Sequence, residues 1–169
     1  ITVSGSVSTL AVTADLGDGD DTITISTAGD DIISGGAGND TISTGAGNDT
    51  INGGADDDIL NGEAGNDTIS GGNGNDTISG GDNDDSLTGG AGMDSLDGGN
   101  GTDTANYAAA AAGVTVSLAV GTASNDGDGG SDTLSNIENV TGSAFNDTIT
   151  GDAGANTLNG GAGNDTLTG

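Results

Sequence analysis

The sequence predicts an all-β fold, a parallel β-solenoid in two blocks joined by a β-rich adaptor, and three observations predict it. Five nonapeptides run end to end, from GGAGNDTIS at 35–43 to GGNGNDTIS at 71–79, and a fixed period imposes a repeat architecture. Each unit follows Gly-Gly-x-Gly-x-Asp-x-(large aliphatic)-x. One aliphatic side chain is flanked by two that face outward, as in Thr41-Ile42-Ser43, which makes a minimal strand. Three glycines within four residues let the backbone take positive φ and turn tightly. One aliphatic group per nine residues buries too little to order its own unit, so the units must stack.

Residues 1–15 alternate loosely, with Ile1, Val3, Val7, Leu10 and Val12 apolar among Ser and Thr, and read as entry strands capping the first coil. A first array spans 16–106. Its opening unit LGDGDDTIT is followed by an extra residue, Ile25, which a one-residue bulge would absorb. Continuous units then start at Gly35, Thr44, Gly53, Gly62, Gly71, Gly80, Gly89 and Gly98, and the inward position shrinks from Leu96 to Ala105 at the array's end. Asp56 and Asn83 replace the third consensus glycine, a mild change because both residue types tolerate left-handed geometry. Residues 107–141 form the adaptor: an alanine run at 108–112 too short to hold a helix, alternating Val114, Val116 and Leu118, and Asn136-Ile137-Glu138-Asn139-Val140 outside the nonapeptide spacing. Residues 142–169 are a second, truncated array with Ile149, Leu158 and Leu167 inward. No Met precedes Ile1 and Gly169 opens another unit, so the sequence reads as a piece of a longer repeat protein.

The 169 residues include 27 acidic ones and no Lys, Arg or His, for a formal charge of −27. With no cation to meet phosphates, nucleic acid is excluded as a partner. An anionic membrane would repel this surface, and no apolar run approaches the roughly 20 residues of a spanning helix, so membrane insertion is excluded too. Without His, Lys or Cys there is no ordinary base or nucleophile, and the sequence reads as non-enzymatic. There is no cysteine for disulfides or thiolate metal sites. Low hydrophobicity with high net charge is the composition of a disordered chain, yet disorder gives no reason for an aliphatic residue two positions after an aspartate every nine residues.

The repeat resembles the calcium-binding nonapeptide of the RTX (hemolysin-type) family, bacterial proteins exported by type I secretion. Matching units cover most of the chain, over 16–106 and again over about 127–168. The resemblance implies a parallel β-roll, a right-handed β-solenoid with 18 residues per coil, holding several Ca2+ ions between stacked loops. The sixth position of the repeat is filled by Asp21, Asp31, Asp40, Asp49, Asp58, Asp67, Asp76, Asp85, Asp94 and Asp103, and later by Asp132, Asp147 and Asp165, whereas Asn156 stands there once. By resemblance, one loop gives the carbonyls of its second and fourth residues with its Asp, and the next loop gives its first and third with its own. One set is Gly36, Gly38 and Asp40 with Gly53, Ala55 and Asp58. Another is Gly45, Gly47 and Asp49 with Gly62, Ala64 and Asp67, and a third is Gly72, Gly74 and Asp76 with Gly89, Ala91 and Asp94. Calcium suits oxygen donors in tolerant geometry, whereas magnesium demands a tighter octahedron and soft metals want His or Cys.

Coils about 4.8 Å apart would stack these aspartates eighteen residues apart into columns, where each neighbouring pair repels by roughly 1 kcal/mol even in water-like dielectric. The expected function is therefore a calcium-binding repeat region, extracellular or at the cell surface, that folds when calcium binds. Three readings stay open. It is part of a surface-layer or adhesin protein, the folding and secretion tail of an exported enzyme or toxin, or an ice-binding solenoid using the outward hydroxyls of Thr41, Thr50, Thr68 and Thr77. The open edges at a solenoid's ends offer self-association.

Overall fold

From Thr22 to Thr104 each strand begins at the β-prone Thr, Ser or Ile after an aspartate and sends the next residue inward. The computed structural model describes Thr2–Val3 and residues 9–169, and among them there is no helix. Ile1 and Val7, expected in the entry strands, lie outside the described residues. Successive strands alternate between two sheets. One stacks Thr22–Ile25, Thr41–Ser43, Ile59–Ala64, Thr77–Asp82, Ser95–Asn100 and Asp132–Ser135. The other stacks Thr13–Asp18, Ile32–Ala37, Thr50–Ala55, Thr68–Asn73, Ser86–Ala91, Thr104–Asn106, Asn139–Thr141 and Thr157–Asn159. Within the first array both ladders are parallel; the first pairing in each is nineteen residues apart, Thr13 with Ile32 and Thr22 with Thr41, and the later ones eighteen, Ile42 with Leu60 and Ile51 with Ile69. The fold is the parallel β-solenoid of 18-residue coils that the sequence predicts.

The core is a single file of aliphatic side chains between the sheets. Ile23, Ile33, Ile42, Ile51, Leu60, Ile69, Ile78, Leu87 and Leu96 are all buried, one per half-coil. A truncation here has no second layer to close over it. Ile69→Ala should cost about 2–5 kcal/mol, read as a lower melting temperature at saturating calcium, while Thr68→Ala on the exposed face should cost under about 0.5 kcal/mol.

Three details depart from the sequence reading. Most units are not three strand residues and six loop residues: the strands from Thr50–Ala55 to Ser95–Asn100 run six residues, and the ladder continues through the glycines, with Gly54 opposite Gly72 and Ala55 opposite Asn73. The second glycine takes positive φ (123° at Gly54, 118° at Gly72), which bends the chain around the edge without breaking the ladder. Only positions four to six make the turn. Glu63 adopts this conformation without being glycine (φ 74°), and Ser43 Oγ donates to its carboxylate at 2.7 Å. Ile25 does not form a bulge. The ladder from Thr22–Ile25 to Thr41–Ser43 has no register shift, and Ile25 extends its strand and is buried in the core.

The adaptor departs most. After Thr104–Asn106 the chain leaves the stack: the alanine run makes a turn in which Ala110 N–H donates to Tyr107 O at 3.0 Å, and Thr115–Ser117 then pairs antiparallel with Thr122–Asn125. Thr122–Asn125 also runs antiparallel to Asp132–Ser135, and Thr115–Ser117 carries the parallel ladder on to Thr148–Thr150 and Thr166–Thr168. In the other sheet Asn139–Thr141 sits directly on Thr104–Asn106, with Val140 opposite Ala105. The segment that breaks the sequence period is therefore in spatial register.

Candidate metal centres

The aspartate before each strand sits at a corner of the coil, where the chain turns into the next sheet. There the ladder continues through side chains. Asp40 N–H donates to Asp58 Oδ1 (2.8 Å), Asp58 to Asp76 (2.9 Å) and Asp76 to Asp94 (2.8 Å). On the opposite corner Asp31 donates to Asp49, Asp49 to Asp67, Asp67 to Asp85 and Asp85 to Asp103, all at 2.7–2.8 Å. Two columns of carboxylates thus run along the stack, each Oδ1 satisfied by the coil before it.

The second oxygen is not satisfied. Oδ2 of Asp31, Asp40, Asp49, Asp58, Asp67, Asp76, Asp85, Asp94 and Asp103 is buried and has no hydrogen-bond partner. A buried acceptor left unpaired costs its full desolvation, more when it carries charge. Burial, with the neighbouring carboxylates of each column adding to it, accordingly pushes Asp67 and Asp76 up to about 6 and Asp85 up to about 7. Asp31, Asp58, Asp94 and Asp103 are raised for the same first cause.

The stranded oxygens face small oxygen-lined hollows kept open by glycine. A Cβ on Gly35 would collide with Asp40 Oδ2 and with the carbonyl of Gly53 in the next coil. The same holds at Gly53 for Asp58 and the Gly71 carbonyl, and at Gly71 for Asp76 and the Gly89 carbonyl. Carboxylate and first-position carbonyl therefore converge at each hollow, with only hard oxygen donors present. Among the described residues no three acidic side chains converge closely enough to hold a metal by themselves, so a cage requires main-chain oxygens. This donor set fits calcium.

The other expected carbonyls are less free than a loop would leave them. Those of Ala55, Ala64 and Ala91 accept the N–H of Gly38, Gly47 and Gly74 (2.9–3.1 Å), and the Gly45 carbonyl accepts Ala64 N–H, because the ladder reaches the third position. Each keeps a second lone pair. Gly36 and Gly72 lie within paired strands, and their carbonyls pack under the next coil's Gly54 and Gly90. Thr44, buried where other units have glycine, donates its hydroxyl to the Gly62 carbonyl (3.3 Å).

Four of the expected aspartates stand apart. Asp21 opens its column and donates its N–H to Asp40 Oδ1. Asp132 accepts Asp94 N–H on Oδ1 (3.2 Å), and the Tyr107 hydroxyl donates to its Oδ2 (3.0 Å). Asp147 spends both oxygens on Ser143 and Val114, and Asp165 accepts Asp147 N–H. Asn156 turns its amide to Glu138 O and accepts Asp152 N–H, a structural use in keeping with a neutral side chain.

Sequence reasoning missed three residues. Glu138 accepts Asp103 N–H at 2.8 Å and so takes the next aspartate slot of its column. Its signal was an acid two places before an inward aliphatic, Glu138-Asn139-Val140. Asp126 is 1 % exposed with Oδ2 unpartnered, and Tyr107 caps Asp132. Neither is marked by the period.

A family model for the RTX calcium-binding nonapeptide repeat (4 copies) matches the chain six times, at residues 25–60, 35–69, 44–78, 52–87, 70–105 and 126–167. No curated protein matches it.

Proposed function

Since the chain belongs to the RTX calcium-binding nonapeptide-repeat family, we propose that it is a calcium-folded structural segment of an exported cell-surface protein of the surface-layer or adhesin kind. The observation that carries the calcium dependence is the set of nine repeat aspartates whose Oδ2 is buried without a partner. Calcium, when bound, supplies the positive charge and the electrophilic partner that these oxygens lack. The residues that would hold it are the column aspartates Asp31 to Asp103 with the first-position carbonyls of Gly53, Gly71 and Gly89 and their equivalents.

The chain's own groups do the rest. Each Oδ1 fixes the amide of the aspartate one coil earlier, so a carboxylate held in place also sets the register of the coil beneath it. Without a cation the columns oppose stacking, and one aliphatic side chain per half-coil does not compensate. A ligand that binds only the folded state then makes folding conditional on its concentration. In a cytosol poor in free calcium the chain stays extended and exportable, and outside the cell it folds.

The rod-like stack, with one sheet continuing through the 107–131 insertion, supports the surface role. A catalytic or pore-forming domain in the parent chain would make this segment a folding tail instead. Far-UV circular dichroism during a calcium titration tests the central claim. The spectrum is expected to turn from disordered to β near millimolar calcium, and not with magnesium. A β spectrum unchanged by chelator would refute calcium-coupled folding.

A further inference from the structure

Where the first array meets the insertion, one column changes its chemistry. In the regular coils a Cβ at the first glycine would meet its own aspartate and the next coil's first carbonyl. At Gly89 its nearest neighbours are all atoms of Asp94. Gly127, whose carbonyl the period would bring there, packs instead against Ala110, Ala112 and Val114. The next aspartate, Asp132, is also withdrawn, with one oxygen on Asp94 N–H and the other on the Tyr107 hydroxyl.

Asp126 comes in from the insertion beside the Gly92 carbonyl. Its Oδ1 accepts three successive amides, of Asp128, Gly129 and Gly130 (2.8–2.9 Å), which locks the carboxyl group in one orientation. Its Oδ2 is buried and unpartnered, like that of Asp94. A Cβ on Gly130 would lie 2.6 Å from this Oδ2 and collide with the Gly92 carbonyl, so the oxygen is aimed into the loop stack beside that carbonyl. Gly92 lies two residues before Asp94, whose N–H donates to Asp132 Oδ1 (3.2 Å).

We propose that Asp126 Oδ2, Asp94 Oδ2 and the Gly92 carbonyl form a calcium-class cation site that closes the first array, the insertion supplying a carboxylate where the repeat supplies a carbonyl and Asp132. The site rests on the calcium reading of the array and adds a ligand that the nonapeptide pattern does not contain. It makes the insertion part of the calcium-folded unit, because the amides that orient Asp126 belong to residues 128–130.

The chain carries its own reporter. Tyr107 is the one tyrosine, there is no tryptophan, and its hydroxyl is bonded to Asp132. Terbium, a luminescent substitute for calcium, should give emission on tyrosine excitation when it binds the 169-residue chain, and excess calcium should abolish it. Asp126→Asn should lose most of this emission and bind one calcium fewer by equilibrium dialysis, while its calcium titration by circular dichroism still reaches the β spectrum. Asp126→Ser, whose hydroxyl can still accept the loop amides, serves as a second carboxylate-free variant. Undiminished emission in either folded variant, or no sensitised emission from the folded wild type, overturns the proposal. Failure of the wild type to fold with calcium would strike the array reading itself, a separately visible result.

Discussion

Exchanging Asp76 for asparagine is expected to have opposite effects with and without calcium. Asp76 stands mid-column: its Oδ1 accepts Asp58 N–H, its own N–H reaches Asp94, and its Oδ2 is stranded beside the Gly89 carbonyl. Asparagine preserves the Oδ1 acceptor and the ladder but removes the charge. The calcium concentration at the folding midpoint should rise about tenfold or more, the loss of about 1.4 kcal/mol or more of binding. The metal-free chain should become more β-structured, because a carboxylate whose buried environment raises it to about 6 no longer has to be ionised there. Asp57, directly before Asp58 in the preceding coil and exposed, accepts Asn75 N–H in an outer ladder where other units carry Asn. Asp57→Asn should therefore leave the midpoint within about twofold. Calcium titrations of both variants by circular dichroism decide it, and equal midpoints would show that the columns do not carry the metal.

The second large effect is that of acid. Burial places Asp67 and Asp76 at about 6 and Asp85 and Asp132 at about 7, above the 3.8 of an unperturbed aspartate. Between those limits the folded metal-free chain binds more protons than the unfolded one, so unfolding becomes easier as pH rises. The stability from these groups is fully present below 3.8 and is lost as pH rises through about 6 to 7. Moving from about pH 7.5 to about pH 5 in chelator should thus increase β structure. With calcium the sign reverses, because protons and metal compete for the same oxygens, and the calcium midpoint should rise about tenfold or more over that interval. A midpoint independent of pH, with a metal-free spectrum that does not change, would contradict the burial of these carboxylates.

Both results follow from something the sequence states openly. An aspartate at the sixth position of the nine-residue unit with an inward aliphatic two residues later is legible because the geometry of one unit repeats, and Asp40 over Asp58 or Ile51 over Ile69 needs only the period. The oxygen-only donor set, and hence a hard cation, is equally a matter of composition.

What is not periodic was not legible in the same way. The ladder's extension to Ala55 depends on how a positive-φ glycine bends a strand, and it engages carbonyls that a loop would have left free. The return of Glu138 and Val140 to register after the insertion depends on which edge was left open at Thr104–Asn106. The chain by itself determined the solenoid, its core and its two carboxylate columns, because those are local patterns copied every nine residues. Only the tertiary structure decided which oxygens stay unpaired, that Tyr107 withdraws Asp132, and that Asp126 arrives beside the Gly92 carbonyl. Those are contacts between segments 25 to 38 residues apart or meeting at a single place, with no repetition to announce them.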